Sequence, residues 1–348
     1  MPHCRVPEAD EILDQPFPVL DHGFVRLVDY MGSDARIVEA ARVSYGKGTR
    51  TVREDSALID YLMRHRHTSP FEHVVFEFHC KMPIFVARQW IRHRTARVNE
   101  ISGRYSVMRD EFYLPPPDQI RRQSTENKQG RAETVPPELQ QRVIEMLRQG
   151  QASAYAAYEA LIHEDIAREL ARINLPLSLY TEWYWQMDLH NLFHFLELRL
   201  DPHAQWEIRE YAKAIAGIVK KVTPLAWASF ERHVLRGCRL SEEEISAVRA
   251  LVAGQPNPLT GRRLTEFNQK LFGEAAGASS AAPTAPASEL AAEPPEFTPS
   301  GFRVRISPDE VHALPLRQFE GPVHLIAEPE AVAPAVAELR KHRILGFD

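Results

Sequence analysis

From His73 to Met82 the chain reads HVVFEFHCKM, with Val74, Phe76, Phe78 and Cys80 on one face and Val75, Glu77, His79 and Lys81 on the other. A period of two predicts a strand with one buried side. It also puts Cys80 among packed apolar residues, where a free thiol behaves as a small hydrophobe. Residues 24–30, FVRLVDY, predict an earlier strand, and Ser33 or Asp34 then offers a cap for a helix carrying Ile37, Ala40 and Ala41. A second helix is predicted over 54–65, where Leu58, Tyr61 and Leu62 recur at i, i+3, i+4.

Pro83 suits the first turn of a helix through IFVARQWIRHR, on which Gln89, Arg92 and His93 would share a face. Asn99, Ser102 and Gly103 are turn formers, so the chain beyond that helix is expected to be a loop. Residues 114–137, rich in Pro and polar side chains, read as an excursion over the surface. A long helix fits Glu138 to Asn174, with room for a break at Gly150, and Pro176 stops it. Asp188 then caps a helix whose stripe is Leu189, Leu192, Phe193 and Leu196, ended by Asp201-Pro202. Another amphipathic helix follows over 204–222, using Trp206, Ile208, Tyr211, Ile215, Ile218 and Val222.

Composition narrows the picture. With 44% hydrophobic and 26% charged residues, the chain has the proportions of a globular protein with a real core. A net charge of −5 argues against a general binder of polyanions. No apolar run is long enough to span a membrane and the start lacks a signal-type apolar segment, so a cytoplasmic location is expected. Cys4, Cys80 and Cys238 are odd in number and lack CxxC spacing, which suggests neither a disulfide framework nor a cysteine zinc site. After Phe272 an Ala/Pro/Ser/Glu-rich stretch has too little apolar content to fold alone.

Against that acidic background, RHRTARVNEISGRYS at 92–106 gathers Arg92, His93, Arg94, Arg97 and Arg104. Guanidinium groups recognise phosphate and carboxylate through paired donors, and Ser102 with nearby amides could complete a phosphate cradle. Glu100 and Asn99 do not fit a pure anion trap; beside several Arg residues they suit a nucleotide, which carries hydrogen-bond donors as well as phosphate. The bland alternative is a solvated basic helix end with ordinary i, i+4 pairs.

The spacing Arg92-His93-Arg94, seven residues, Ser102, with Asn99, Glu100, Arg104 and Tyr105, resembles the signature of the flavin-dependent thymidylate synthases. Further blocks match: ARVSYGKGT at 41–49, RHRHTSPFEH at 64–73, PIFVARQWIRHR at 83–94, ARINLPLSLYTEWYW at 171–185 and DLHNLFHFLELRLDPHAQWEIR at 188–209. The resemblance spans about residues 15–235. It departs at Arg97, where many members have Ser, and beyond roughly residue 275.

The resemblance implies an α+β fold, a small antiparallel sheet packed with long helices, over a synthase domain at 1–273. It implies reductive methylation of dUMP to dTMP, with 5,10-methylenetetrahydrofolate as one-carbon donor and NADPH-reduced FAD as hydride source. No cysteine nucleophile is needed, so the ring is activated electrostatically, and Arg199 is the implied catalytic residue. Carried over by motif, the dUMP site comprises Gln89, Arg92, Glu100, Ser102, Gly103, Arg104, Arg172 and Arg199. FAD would meet Ser69, Arg92, His93, Arg94, Glu100, Asp188, His190 and His194. No metal site is implied. Family members are homotetramers with sites shared between subunits, so a monomer is expected to be inactive; neither membrane nor nucleic acid is an expected partner of the synthase domain.

The residues themselves admit two other functions. His190 and His194 at i, i+4, with His65, His67, His73 and His79, fit a metal-dependent nucleotide phosphohydrolase, although three Arg residues would repel a divalent cation. An RNA-binding module using Trp90 and Tyr105 conflicts with the negative charge. Residues 274–301 read as a linker. The segment 302–348 ends in FEGPVHLIAEPEAVAPAVAELRKHRILGFD, which resembles the start of a DEDD-type 3′-5′ exonuclease domain with Asp348 as first metal ligand. Its other carboxylates are missing, so no exonuclease activity is expected from these 348 residues.

Overall fold

The computed structural model describes residues 5–43, 52–125 and 130–273. The expected linker and exonuclease-like segment, Cys4, and most of the 41–49 block lie outside the described residues. Two compact units are present, one up to Gly237 and one from Cys238 onward.

The first unit is built on an antiparallel sheet of five strands: β1 (Pro16–Val19), β2 (Gly23–Met31), β3 (Val75–Pro83), β4 (Arg97–Glu100) and, from later in the chain, a strand at Tyr180–Asp188. A separate hairpin pairs β5 (Arg121–Gln123) with β6 (Arg131–Thr134), which makes Tyr180–Asp188 β7 and the sheet order β1-β2-β3-β7-β4. The alternation at 74–80 is borne out: Val74, Phe76, Phe78 and Cys80 are fully buried. β3 pairs with β7 in unbroken register from Val75↔Asp188 to Pro83↔Tyr180.

Helices α1 (Pro7–Asp10), α2 (Asp34–Arg42), α3 (Val52–Arg64), α4 (Ile84–Trp90), α5 (Pro137–His163), α6 (Arg168–Ala171), α7 (Leu189–Arg199), α8 (Trp206–Val222) and α9 (Pro224–Phe230) complete the unit. Ser33 holds the N-cap position of α2 without a side-chain cap bond. Asp34 turns elsewhere, accepting hydrogen bonds from the amides of Leu225 and Ala226 at the start of α9. On α3 Ile59 and Leu62 are buried and the half-buried Leu58 packs against the same core, whereas Tyr61 is exposed. The predicted stripes of α7 and α8 are buried as expected apart from Trp206, which is half-buried.

The expected helix from Glu138 to Asn174 is interrupted at Glu164–Asp165 rather than Gly150, with Asp165 at a φ of 56°. A glycine inside a helix costs about 1 kcal/mol and does not by itself end it. A residue in the left-handed region does end it. The 114–137 stretch contains the β5–β6 hairpin rather than loop alone. In the second unit, α10 (Glu242–Val252) starts with a Ser241–Glu244 capping box, α11 is Gly261–Phe272, and Ala247, Leu259 and Phe267 form its small core. Among the described residues no helix is long and apolar enough to cross a membrane.

Candidate active site

The expected helical face of Gln89, Arg92 and His93 is corrected: α4 ends at Trp90, and Ile91 is its C-cap. Trp90 is fully buried, edge-on to Trp183 and Trp185 at 5.5 and 5.3 Å and stacked on Phe195 at 5.2 Å. That aromatic nest anchors the end of the helix, and the chain then turns. Arg92 and Arg94 emerge into solvent, while His93, only 9% exposed, folds inward with its ring edge-on to Phe195.

Opposite this turn lies the last turn of α7. Arg199 Nε donates to His93 Nε2 at 3.1 Å, and an Arg199 NH2 group reaches the Gln89 carbonyl at 3.4 Å. Burial, then the charge of Arg199, then His194, push the His93 pKa down to about 4. His93 is therefore neutral near pH 7, and its Nε2 is the acceptor that fixes the guanidinium. Burial also lowers the pKa of Arg199, which remains a cation in water.

Arg92, His93, Arg94, Thr95, Asn191, His194, Leu198 and Arg199 line one open cleft of about 600 Å³. Among the described residues neither Arg92 nor Arg94 has an ion-pair partner. His194 is exposed, with Nδ1 3.7 Å from Glu197. Asp188 caps α7 as its sequence predicted, accepting from Asn191 N at 2.9 Å and from Asn191 Nδ2 at 2.7 Å. His190 sits half-buried in the first turn of α7, and Ser69 is exposed at the start of the 3-10 turn Ser69–His73.

A second set gathers beyond β4. Asn99 and Glu100 were expected in a loop, but Arg97–Glu100 pairs as an edge strand with β7. Polar residues hide a strand whose side chains meet water. Glu100 Oε1 accepts from Thr181 Oγ1 at 2.6 Å. The turn that follows places Ser102 Oγ 3.3 Å from the Arg104 amide, and Arg104 Nε lies 3.2 Å from Glu169. A Cβ on Gly103 would lie 3.0 Å from Met108 Sδ and 3.1 Å from Arg172 Cδ, so glycine is what lets Arg172 rest against this turn. Thus Gln89, Arg92, His93, Arg94, His194 and Arg199 form one set, and Glu100, Ser102, Gly103, Arg104 and Arg172 another. Among the described residues no hydrogen bond or ion pair joins the two.

Sequence reasoning missed a polar chain built around the buried Glu207. Gln89 Nε2 donates to Gln205 Oε1. Gln205 Nε2 donates to Glu207 Oε2 at 2.8 Å. Glu207, 1% exposed, also accepts from Arg131 at 2.6 Å and from Tyr113 Oη at 3.1 Å. One signal was readable: Glu207 shares an i, i+4, i+8 stripe with Tyr211 and Ile215, where a carboxylate must have partners.

The cysteine expectations can be placed too. Cys80 is buried and its thiol pKa is pushed well up by desolvation; Cys238 is exposed in the second unit. As for the phosphohydrolase alternative, among the described residues no three His, Cys, Asp or Glu side chains are grouped as a metal would require.

Comparison with known proteins follows the same lines. Residues 26–225 match the model of the family described as thymidylate synthase complementing protein, and residues 238–272 match the thymidylate synthase ThyX C-terminal domain. The chain is 65% identical over 260 residues to a flavin-dependent thymidylate synthase of Treponema denticola, covering 74% of this chain and 98% of that protein. It is 60% identical over 263 residues to one from Thermus thermophilus, covering 74% and 96%. Among solved structures, a UMP/dUMP methylase PolB from Streptomyces cacaoi bound with 5-Br dUMP resembles it with a TM-score of 0.58 and 32% identity, covering 63% of this chain and 99% of that one.

Proposed function

Since the chain belongs to the flavin-dependent thymidylate synthase family, we propose that its cation-lined cleft brings dUMP and FAD together for the conversion of dUMP to dTMP. The observation that carries this reading is that Arg92 and Arg94, without carboxylate partners among the described residues, share one cleft with an Arg199 held by a neutral histidine. Unneutralised, exposed guanidinium groups fit the pyrophosphate of FAD, because paired N–H donors recognise phosphate bidentately. Arg92, His93 and Arg94 with Asp188, His190, His194, Ser69 and Glu100 are the residues assigned to FAD. When bound, FAD supplies hydride chemistry, with NADPH as electron source and 5,10-methylenetetrahydrofolate as one-carbon donor.

The chain's own contribution is electrostatic. Arg199 is oriented by groups of the chain itself, His93 Nε2 and the Gln89 carbonyl. A fixed cation beside the uracil stabilises negative charge as it develops on the ring, with little reorganisation at the moment of reaction. No covalent help is available from Cys80, whose buried thiol is held protonated. Ser102 Oγ is occupied with the Arg104 amide, in keeping with a ligand contact rather than a nucleophile. Gln89, Glu100, Ser102, Gly103, Arg104 and Arg172 complete the dUMP assignment.

The separation of these residues into two sets supports a homotetramer in which one copy's turn at 100–105 faces another copy's cleft. Exposed Tyr105, Val107, Leu170, Ile173 and Leu177 around that turn support its being covered. We further propose a cytoplasmic location, and a synthase portion at 1–273 that includes the unit from Cys238, followed by the linker and the exonuclease-like segment. The test is Arg199→Ala: dTMP formation is expected to fall at least about a thousandfold with FAD still bound. Mixing Arg199→Ala subunits with inactive Arg104→Ala subunits should restore activity. Retained turnover in Arg199→Ala would remove that residue from catalysis, and failure of mixed subunits to complement would count against shared sites.

A further inference from the structure

A side-chain amide can face a ligand with either its oxygen or its NH2 group, and which end it offers decides whether it reads a donor or an acceptor. In this molecule the choice at Gln89 is dictated from a distance. Glu207 is 1% exposed, and as a carboxylate paired with Arg131 it can only accept. Gln205 must therefore turn its NH2 group toward Glu207, as its 2.8 Å bond shows, which points its Oε1 at Gln89. Gln89 must in turn give its NH2 group to that oxygen. Its own Oε1 is left over, and among the described residues that atom has no hydrogen-bond partner. The backbone carbonyl of the same residue accepts from Arg199, which ties the Gln89 main chain to the cation assigned to the pyrimidine.

We infer that Glu207 is a positioning residue that sets the polarity of the Gln89 amide through Gln205, so that the site presents a carbonyl oxygen to the imide N–H of a uracil base. This rests on the reading of the cleft as a dUMP site. A uracil offers N–H at its N3, whereas a cytosine offers a lone pair at the same place. An amide free to rotate would serve both; one locked by a buried carboxylate serves only the first. The relay thus discriminates two nucleotides of nearly equal size by an unfavourable acceptor–acceptor contact, which a pocket wall cannot do. Tyr113 and Arg131 hold the carboxylate in place, on residues 94 and 76 positions earlier in the chain.

Two substitutions separate the relay from mere support. Glu207→Gln keeps the shape and an oxygen for Arg131 and Tyr113, but can donate to Gln205, which reverses both downstream amides. Gln205→Met keeps the volume and cuts the relay, leaving Gln89 free. Binding of dUMP and of dCMP to the full, FAD-loaded chain would be measured for the wild type and both variants by titration of the flavin spectrum. The wild type should prefer dUMP; the preference should shrink at least about tenfold in Glu207→Gln and by less in Gln205→Met. Equal weakening for both nucleotides, with the preference unchanged, would reduce Glu207 to a structural role and overturn the relay. If Glu207→Gln does not fold, Gln205→Met decides alone. A wild type that binds neither nucleotide would sink the functional reading along with the relay, whereas a wild type that prefers dUMP beside variants that keep its preference sinks the relay only.

Discussion

Two groups of cations in this chain have opposite surroundings. Lys81, 7% exposed, lies 2.6 Å from Glu111, and Arg131 lies 2.6 Å from the buried Glu207. Arg92, Arg94 and Arg172, by contrast, have no carboxylate at ion-pair distance among the described residues. A cation already neutralised inside the fold holds elements together, and removing its partner leaves a buried charge exposed to its own desolvation cost. A cation left without a partner adds little to folding and keeps its donors for an anion from solution. The difference separates these two groups of cations, while Arg104, assigned to dUMP yet 3.2 Å from Glu169, falls outside it.

The largest effect on folding should come from the paired group. Glu111→Gln strands the Lys81 ammonium and is expected to cost about 3 kcal/mol, read as a lower urea midpoint, with flavin retention unchanged. Equal loss of flavin would show that the two groups are not separable. Arg92→Ala with Arg94→Ala should do the reverse. Flavin affinity should drop by about ten- to a hundredfold and its salt dependence flatten, while the urea midpoint stays within about 0.5 kcal/mol of wild type.

A smaller effect concerns pH. His93 has a folded-state pKa of about 4 against an ordinary 6.5, so the unfolded chain takes up a proton before the folded one does. Its contribution to stability is fully present above about 6.5 and is lost as pH falls toward 4. Protonation also removes the Nε2 acceptor from Arg199. His93→Gln, which keeps an acceptor but cannot titrate, should flatten stability and dUMP binding across that window; an unchanged acid profile would assign it to other groups.

Much of this architecture could be read from the chain because local pattern and tertiary burial agree. The alternation at 74–80 and the Asp188 cap are local facts that packing did not overrule. Elsewhere tertiary structure won. Trp90 ends α4 because its indole is wedged among Trp183, Trp185 and Phe195, far away in sequence. Polar Asn99 and Glu100 form a strand because β7 offers them an edge. α9, α10 and α11 were not anticipated. The candidate site residues came from the motif, but their division into two sets did not, because spacing carries no information on which residues meet in space. Glu207, Gln205, Arg131 and Tyr113 escaped notice because a polar chain assembled from distant segments leaves no local pattern.

The measurement that bears most directly on the proposal of one cleft for dUMP and FAD is the visible absorbance spectrum of the purified chain with FAD, taken before and after dUMP is added. Flavin that stays with the protein and shifts its spectrum on dUMP addition is the expected result, since both ligands would meet around Arg92 and Arg199. Flavin that washes away, or a spectrum indifferent to dUMP, would contradict a single cleft that holds the two against one another.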